Sequence, residues 1–416
     1  MTSLSVTISS HFFDSLSTVL YLGRSFCLFP FKWEKFDGNY VIRKSKTHVV
    51  YSFVAVGVVV LASIVGISEA YSVPAIHLIR LGTTVKRLVN VTDIIIVLSS
   101  ALLGVVATWS KKDKLVDYLN HLNKVLFQFD VLLTYQVPRL RNFKLVTLAT
   151  MVYSTTLLSF HTGIWANLGS KDWNVYAIIA SFFPFNFSYL FTIVEELMYW
   201  YLVYSVKIRI TALNEKIYLI GENERLHDLL MEIDKRKINS VVDTLHPHFF
   251  KPTLYKSTSA TQIQKIIKAY LHLVAAKNCV NDCYGLIILT VLLGCLVHLL
   301  VTPYLLRSVL FSSDDDEIFI ASQSVWMIGH VLRLVLIVEP CDGCLREIRK
   351  TSLIVCKMAS VGLETDVQGS LDLLLTCLSQ CELDFTAFGL TVMHRGLLTA
   401  IAGAVTTYLV ILFQFN

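Results

Sequence analysis

The sequence predicts an all-α integral membrane protein with seven transmembrane helices, and three observations support this fold class. Of the 416 residues, 54% are hydrophobic and only 16% are charged, whereas soluble domains contain about 25% charged residues. The mean hydropathy is +0.60. Seven apolar runs reach the roughly 20 residues that a helix needs to cross ~30 Å of hydrocarbon. The net charge of +5 forms no basic stripe, which argues against nucleic-acid binding.

The predicted spans and the helices between them follow one another along the chain. The spans lie near 49–69, 91–109, 145–166, 176–205, 284–311, 318–338 and 393–415. Apolar residues recur every three or four positions in 115–129 and 226–245, which predicts amphipathic helices outside the membrane. Another helical stretch, 263–283, runs directly into the fifth span.

The distribution of Lys and Arg predicts the orientation of the chain. The side that holds the N-terminus carries 30 Lys and Arg residues, whereas the opposite side carries 5. Because cytoplasmic loops are enriched in these residues, we expect a cytoplasmic N-terminus and an extracellular C-terminus. This orientation is opposite to that of G-protein-coupled receptors, and the sequence contains neither an Asp-Arg-Tyr nor an Asn-Pro-x-x-Tyr motif.

The sequence shows no motif typical of an enzyme. It contains no phosphate-binding loop, no H-E-x-x-H and no G-x-S-x-G. Cys341 and Cys344 have C-x-x-C spacing, and Cys279 and Cys283 form a second pair, so a cytoplasmic zinc site is one interpretation. Neither pair has a histidine at a suitable spacing, which favours reduced thiols near helix ends. We therefore expect no cofactor and no metal site.

Polar residues inside predicted spans are candidate functional positions, because they are costly in hydrocarbon. Gln323, Trp326, His330 and Arg333 follow one another at helical spacing in the sixth span and so share one face. Gln323 and Trp326 lie in its outer half, where a small ligand could reach them. His330 and Arg333 lie deeper and could form packing bonds between helices.

Two acidic residues, Glu195 and Glu196, stand late in the fourth span, toward the cytoplasm in the predicted orientation. Two interpretations are open. The carboxylates draw cations toward an inner vestibule, or they lie on a solvated helical extension below the membrane.

Further aromatic and polar residues lie at the outer depth of the predicted membrane region. The fifth span supplies Thr302 and Tyr304, and the third supplies His161 and Trp165, one helical turn apart. Aromatic walls with a few hydrogen-bonding groups are typical of small-molecule pockets. We favour a ligand pocket formed by these residues together with the outer half of the sixth span; interhelical packing is the alternative.

The C-terminal segment carries a family resemblance. In TTYLVILFQF a Thr-Tyr pair precedes five hydrophobic residues and a Gln-Phe pair, at Thr407, Tyr408, Gln414 and Phe415. This run resembles the C-terminal signature of insect gustatory receptors, a family related to the insect odorant receptors. Three stretches of the C-terminal half resemble the fructose-receptor branch in particular, at 295–306, 323–341 and 346–356.

The resemblance implies a homotetrameric, ligand-gated, non-selective cation channel in the plasma membrane of sensory neurons. Four parts of the chain are then expected: a cytoplasmic N-terminal segment at 1–47, six transmembrane helices with cytoplasmic extensions and an outward-facing ligand pocket at 48–338, cytoplasmic anchor helices at 339–392, and a pore-lining last helix at 393–416. The implied partners are a small-molecule tastant, conducted cations and membrane lipid.

The resemblance also implies roles for individual residues. Pocket residues would be Gln323, Trp326, Thr302 and Tyr304. The pore and gate residues would be Thr407, Tyr408, Gln414 and Phe415, with Gln414 and Phe415 at the gate itself. A ring of four Phe415 side chains would close a pore by excluding water, and rotation of Gln414 inward would wet it.

The class of ligand stays open between a sugar or polyol and a bitter plant compound. His161 stands where fructose-type relatives have an acidic residue, and a polyol binds poorly when its buried hydroxyls lack acceptors. A seven-span metabotropic receptor and an obligate co-receptor subunit are the alternative functions. A transporter is disfavoured, because the sequence lacks inverted repeats.

Overall fold

The structure is a computed structural model, and it describes residues 5–26, 28–29, 31–72, 84–128, 137–168, 175–241, 256–310, 317–360 and 363–414. The helices are α1 (Ser10–Ser25), α2 (Lys46–Ser72), α3 (Thr84–Ser110), α4 (Lys112–Gln128), α5 (Val137–Leu168), α6 (Val175–Val241), α7 (Lys256–Leu310), α8 (Glu317–Ala359), α9 (Thr365–Gln380) and α10 (Arg395–Gln414). The strands are β1 (Ser5–Ser9), β2 (Phe31–Phe36), β3 (Asn39–Lys44), β4 (Thr386–Ala387) and β5 (Thr391–Val392).

Within the described residues the predicted spans lie in helices, except that residues 393 and 394 precede α10. Residues 311 and 415 lie outside the described part of the chain. Within the described residues, Ser259–Pro303 of α7 and Ile320–Ala359 of α8 are long and apolar enough to cross a membrane. Shorter apolar segments lie in α2, α3, α5 and α10. That seven helices cross the membrane, and in which direction, stays a prediction.

The long helices α6, α7 and α8 form the centre of the bundle. α6 has 67 residues and packs along α8, while α7 has 55 residues and contacts α6 and α8. The helix α4 packs antiparallel to the first half of α7, where Lys114 Nζ lies 3.2 Å from Asp282 Oδ2. Tyr118 of α4 is fully buried, and its hydroxyl donates a hydrogen bond to the carbonyl of Leu202 in α6 (2.8 Å).

The N-terminal segment contains a small antiparallel sheet that the all-α prediction missed. Its strand order is β1-β3-β2, and the β2–β3 hairpin turns at Asp37 and Gly38, whose φ angles are 48° and 74°. An Asp-Gly pair is strongly preferred in such two-residue turns. Phe13 of α1 stacks on Tyr40 of β3, with ring centroids 3.8 Å apart. The sheet thereby packs against a helix, and such packing stabilises a small sheet.

A second hairpin, β4–β5, fixes the start of α10. Its turn has positive φ angles at Phe388 (54°) and Gly389 (72°). The side chain of Asn281 in α7 donates to the carbonyl of Asp384 (3.1 Å), and its Oδ1 accepts from the backbone N–H of Thr386 (3.2 Å). The hairpin is thus attached to α7 immediately before α10 begins.

Candidate functional site

The polar face of α8 packs on α6 and α7. Trp326 is only 6% exposed and meets Tyr189 of α6 edge to face, with ring centroids 5.0 Å apart. One turn later, the His330 ring lies 5.9 Å from Trp326 and stacks on His298 of α7 at 4.0 Å. Trp326 and His330 therefore belong to one aromatic stack that links α6, α8 and α7.

A buried ion pair lies below this stack, on the same face of α8. Arg333 Nε and Nη2 donate to Glu196 Oε1 at 3.0 and 2.5 Å, and the guanidinium lies 4.9 Å from the Tyr189 ring centroid. The Glu196 side chain is 0% exposed and that of Arg333 is 11% exposed. The prediction that Arg333 bonds between helices is confirmed. Both interpretations of Glu196, an inner vestibule and a solvated extension, are wrong.

Glu195 is also buried, where α6 packs against α3. It is 1% exposed, and neither carboxyl oxygen has a hydrogen-bond partner among the residues that the structure describes. The carboxyl group packs against Gly104 of α3, and a Cβ atom added at Gly104 would overlap it. Because Glu195 is buried, both interpretations of it from the sequence are wrong. The close approach of its carboxyl group to α3 requires a glycine at position 104.

The predicted ligand-binding residues are only partly described. Gln323 is half-buried one turn before Trp326, and Thr302 is 6% exposed in α7. The backbones of Tyr304, His161 and Trp165 lie in α7 and α5, but their side chains lie outside the described part of the chain. That these residues converge on one ligand pocket therefore stays a prediction. An apolar recess among α2, α3 and α6 contains none of these residues.

The predicted gate residues lie on the last helix. Thr407 and Tyr408 are exposed on α10, and the Thr407 hydroxyl donates to the carbonyl of Gly403 (2.9 Å). Gln414 ends the helix and is exposed, whereas Phe415 lies outside the described residues. Large apolar side chains of α10 are also exposed in the single chain, including Val410, Ile411 and Phe413. A helix with such a surface must meet lipid, a pore or other subunits.

A cluster that the sequence analysis missed connects α8 to the start of α10. We call Glu339, Asp342, Arg346 and Arg395 the clamp. Arg395 Nε and NH2 donate to the two carboxylate oxygens of Glu339 (3.0 and 2.9 Å), and the Arg395 backbone N–H donates to Asp342 Oδ1 (3.1 Å). Arg346 contacts the same two acids, at 2.9 Å from Glu339 and 3.4 Å from Asp342. The carboxylates neutralise two arginines and occupy the positive end of the α10 dipole.

The cysteine pair Cys341 and Cys344 is buried between α8 and α6. The Cys341 sulfur lies 3.1 Å from the Tyr199 hydroxyl, and the Cys344 thiol points at the carbonyl of Val203 (3.7 Å). Burial raises the pKa of the Cys341 thiol to about 12, whereas zinc binding requires the thiolate. Within the described residues no three His, Cys, Asp or Glu side chains are grouped closely enough to hold a metal ion.

Comparison with known proteins identifies relatives. A family model described as 7tm chemosensory receptor matches residues 16–416. The gustatory receptor for sugar taste 43a of Drosophila melanogaster is 38% identical over 136 residues, which are 33% of this chain and 32% of that protein. Gustatory receptor 68a of the same species is 34% identical over 92 residues, 22% of this chain and 23% of that protein. The matched segments thus span less than a third of either relative.

Solved structures match over nearly the whole chain. The insect olfactory receptor OR5 from Machilis hrabei has a TM-score of 0.69 at 13% identity, covering 98% of this chain and 99% of that one. The structure of the same receptor in complex with eugenol has a TM-score of 0.68, with the same identity and coverage. At this identity the likeness establishes the fold, which is the helical arrangement described above.

Proposed function

We propose a function for this chain, which belongs to the 7tm chemosensory receptor family. It is a gustatory receptor that forms a ligand-gated, non-selective cation channel. The family model matches residues 16–416, and this single observation carries the proposal. Membership also makes the chain a receptor and not an enzyme. In the proposal the chain works as a homotetramer in the plasma membrane of sensory neurons, with a cytoplasmic N-terminus and an extracellular C-terminus.

The path from ligand to gate runs along α8 in this proposal. The helix carries the predicted ligand residues Gln323 and Trp326 near one end and the clamp acids Glu339 and Asp342 farther along. A molecule bound against Trp326 would move α8, and the clamp would transmit that movement to the start of α10. The buried pair of Arg333 and Glu196 keeps the segment between them in register with α6, because separating the two charges would leave both unpaired.

The proposed ligand is a small tastant, either a sugar or polyol or a bitter plant compound. The similarity to a receptor for sugar taste supports the first class, and the aromatic surroundings of Trp326 suit the second. An agonist panel of sugars, polyols, alkaloids and plant steroids, measured by calcium imaging in a heterologous cell, separates the two. Trp326→Ala should abolish the response, whereas Ile328→Ala, an exposed site of the same helix, should retain it.

The alternative functions give different results in the same cells. A metabotropic receptor would lose its response when G proteins are inhibited, whereas a channel would keep it in excised patches. An obligate co-receptor would reach the surface and stay silent to the whole panel until a second receptor is co-expressed. Any of these outcomes in place of an autonomous agonist-evoked current contradicts the proposal.

The gate is tested at the end of α10. Phe415→Ala should leak or open more readily in single-channel recordings, because a ring of smaller side chains no longer excludes water. Phe413→Ala is the matched control, since it removes an aromatic ring two residues earlier. Wild-type gating in Phe415→Ala would remove this residue from the gate.

A further inference from the structure

Two histidines face each other where α4 packs on α7. The Nδ1 atoms of His121 and His272 are 3.2 Å apart, and the ring planes are inclined at 43°. Both side chains are half-buried, so water and small ions can reach them. The residues belong to the segments 110–144 and 206–283, which the proposed orientation places in the cytoplasm. Neither histidine was singled out by the sequence, because they are 151 positions apart.

The separation of the two nitrogens fits a shared metal ion. Zinc binds imidazole nitrogen at ~2.0–2.1 Å, so two ligands in tetrahedral geometry lie ~3.3–3.4 Å apart. We propose that His121 and His272 bind a Zn²⁺ ion that bridges α4 to α7. Within the described residues no third His, Cys, Asp or Glu completes the group, so water fills the other positions. Such an open site exchanges its ion with solution and suits regulation better than permanent structure.

The electrostatic surroundings keep both rings available as ligands. Metal binding requires neutral imidazole. Burial lowers the pKa of His121, and the neighbouring His272 and Lys124 lower it further, while Asp117 acts in the opposite direction. Burial and Lys124 also lower the pKa of His272. Both rings are therefore neutral at neutral pH. One Nδ1 carries the proton of the shared hydrogen bond, so that ring must hold its proton on Nε2 instead before both Nδ1 atoms can bind the ion.

The other histidine pair shows what a site needs besides proximity. His298 and His330 stack almost parallel, with ring planes inclined at 12° and centroids 4.0 Å apart. Stacked rings direct their nitrogens past each other, and His330 is 0% exposed. An ion from solution can therefore reach both histidines of the pair on α4 and α7, but it cannot reach His330.

The experiment uses the purified full-length chain without a polyhistidine tag. Zn²⁺ is titrated calorimetrically at pH 7.5, and the thermal unfolding midpoint is measured with and without the ion. The wild type should bind Zn²⁺ and unfold at a higher temperature when saturated, because only the folded state holds the two ligands together. His121→Ala and His272→Ala should each weaken binding by at least about tenfold and remove the midpoint shift. His394→Ala, which removes an exposed histidine, should behave like the wild type.

Several outcomes would overturn the site. The proposal fails if the wild type does not bind Zn²⁺, if the single alanine variants bind it with wild-type affinity, or if His394→Ala loses binding. If either alanine variant fails to fold, His121→Gln and His272→Gln retain side-chain volume without an imidazole. Lowering the pH to 5.5 should weaken binding in the wild type, because protons compete for both rings. None of these readouts depends on channel activity.

Discussion

Two Arg–Glu pairs that attach α8 to neighbouring helices differ in their exposure to solvent. Arg333 and Glu196 are 11% and 0% exposed, whereas Arg395 and Glu339 in the clamp are 57% and 39% exposed. Both pairs have short, bidentate hydrogen bonds, so geometry alone does not distinguish them. What differs is the cost of separating the charges. Breaking a buried pair costs about 3–5 kcal/mol, while an exposed pair contributes about 0.2–1 kcal/mol.

The difference assigns a separate role to each pair. The buried pair holds α8 on α6, because separated charges would be stranded away from water. The clamp can open and close at little cost, because water solvates its charges when they part. A helix that must move relative to α8 is therefore better attached by the clamp than by a buried pair.

The largest expected effect tests the buried pair. Glu196→Ala leaves Arg333 buried without its partner and should reduce the free energy of unfolding by about 3–5 kcal/mol. The measurement is the thermal unfolding midpoint of the purified protein, together with surface expression. Replacing both partners, in the double variant Glu196→Leu and Arg333→Met, should recover much of the loss. A single variant as stable as the wild type would show that the pair is not buried.

The next effect tests the contact between α3 and α6. Gly104→Ala places a methyl group where the Glu195 carboxyl lies, and overpacking of this kind costs about 1–3 kcal/mol. Gly57→Ala on α2 is the control, because a Cβ atom there meets nothing within 4 Å. Glu195→Ala combined with Gly104→Ala should restore the unfolding midpoint. Equal midpoints for the two glycine variants would contradict the close packing.

A variant of the clamp should lose less stability than the two variants above, but its gating should change. Glu339→Ala removes a half-exposed partner of Arg395, so the free energy of unfolding should fall by less than about 1 kcal/mol. The agonist concentration for half-maximal current should nevertheless change several-fold. Lys350→Ala removes an exposed lysine that pairs with Glu347 elsewhere on α8 and should leave gating unchanged. An unchanged dose response in Glu339→Ala would separate the clamp from gating.

The smallest effect concerns pH and the half-exposed histidines of α4 and α7. The folded state lowers the pKa of His121 and His272 from their ordinary value of 6.5. The unfolded chain therefore binds more protons in acid, and stability should fall as the pH drops below 6.5 and remain constant above it. The difference between the unfolding midpoints at pH 7.5 and 5.5, measured with a metal chelator, should be smaller in the double variant His121→Asn and His272→Asn than in the wild type. His394→Asn is the control, and equal pH dependence in both variants would refute the assignment.

The helices were predictable from the sequence because apolar length and periodicity are local signals. Partners across the bundle were not predictable. Glu196 and Arg333 are 137 positions apart, and their charges look like span-end residues until the fold brings them together. The clamp combines acids of α8 with Arg395, which counts in the sequence only as an orientation signal. The small N-terminal sheet was missed, although its Asp37-Gly38 turn is a hairpin signal.

The candidate ligand residues show the same contrast between local signals, which the sequence reveals, and contacts across the bundle, which it does not. Trp326 was found because an aromatic residue on a polar stripe is visible in one helix. Tyr189, which contacts both Trp326 and Arg333, was missed because it lies in an apolar run of α6 and nothing in its neighbours marks it. Its role depends on how α6 packs against α8, and no single segment of the sequence indicates that contact.

The length of α7 has a mechanical consequence for the last helix. Its 55 residues extend ~80 Å at ~1.5 Å per residue, well beyond the ~30 Å of a bilayer core. The hairpin before α10 is attached at Asn281, close to the midpoint of α7. If α7 tilts as a rigid body about this attachment, a tilt of ~5° displaces each end of the helix by ~3–4 Å and barely moves the base of α10. A tilt of α7 would therefore leave the base of α10 in place, and movement of that base in the proposed mechanism would come from α8 through the clamp.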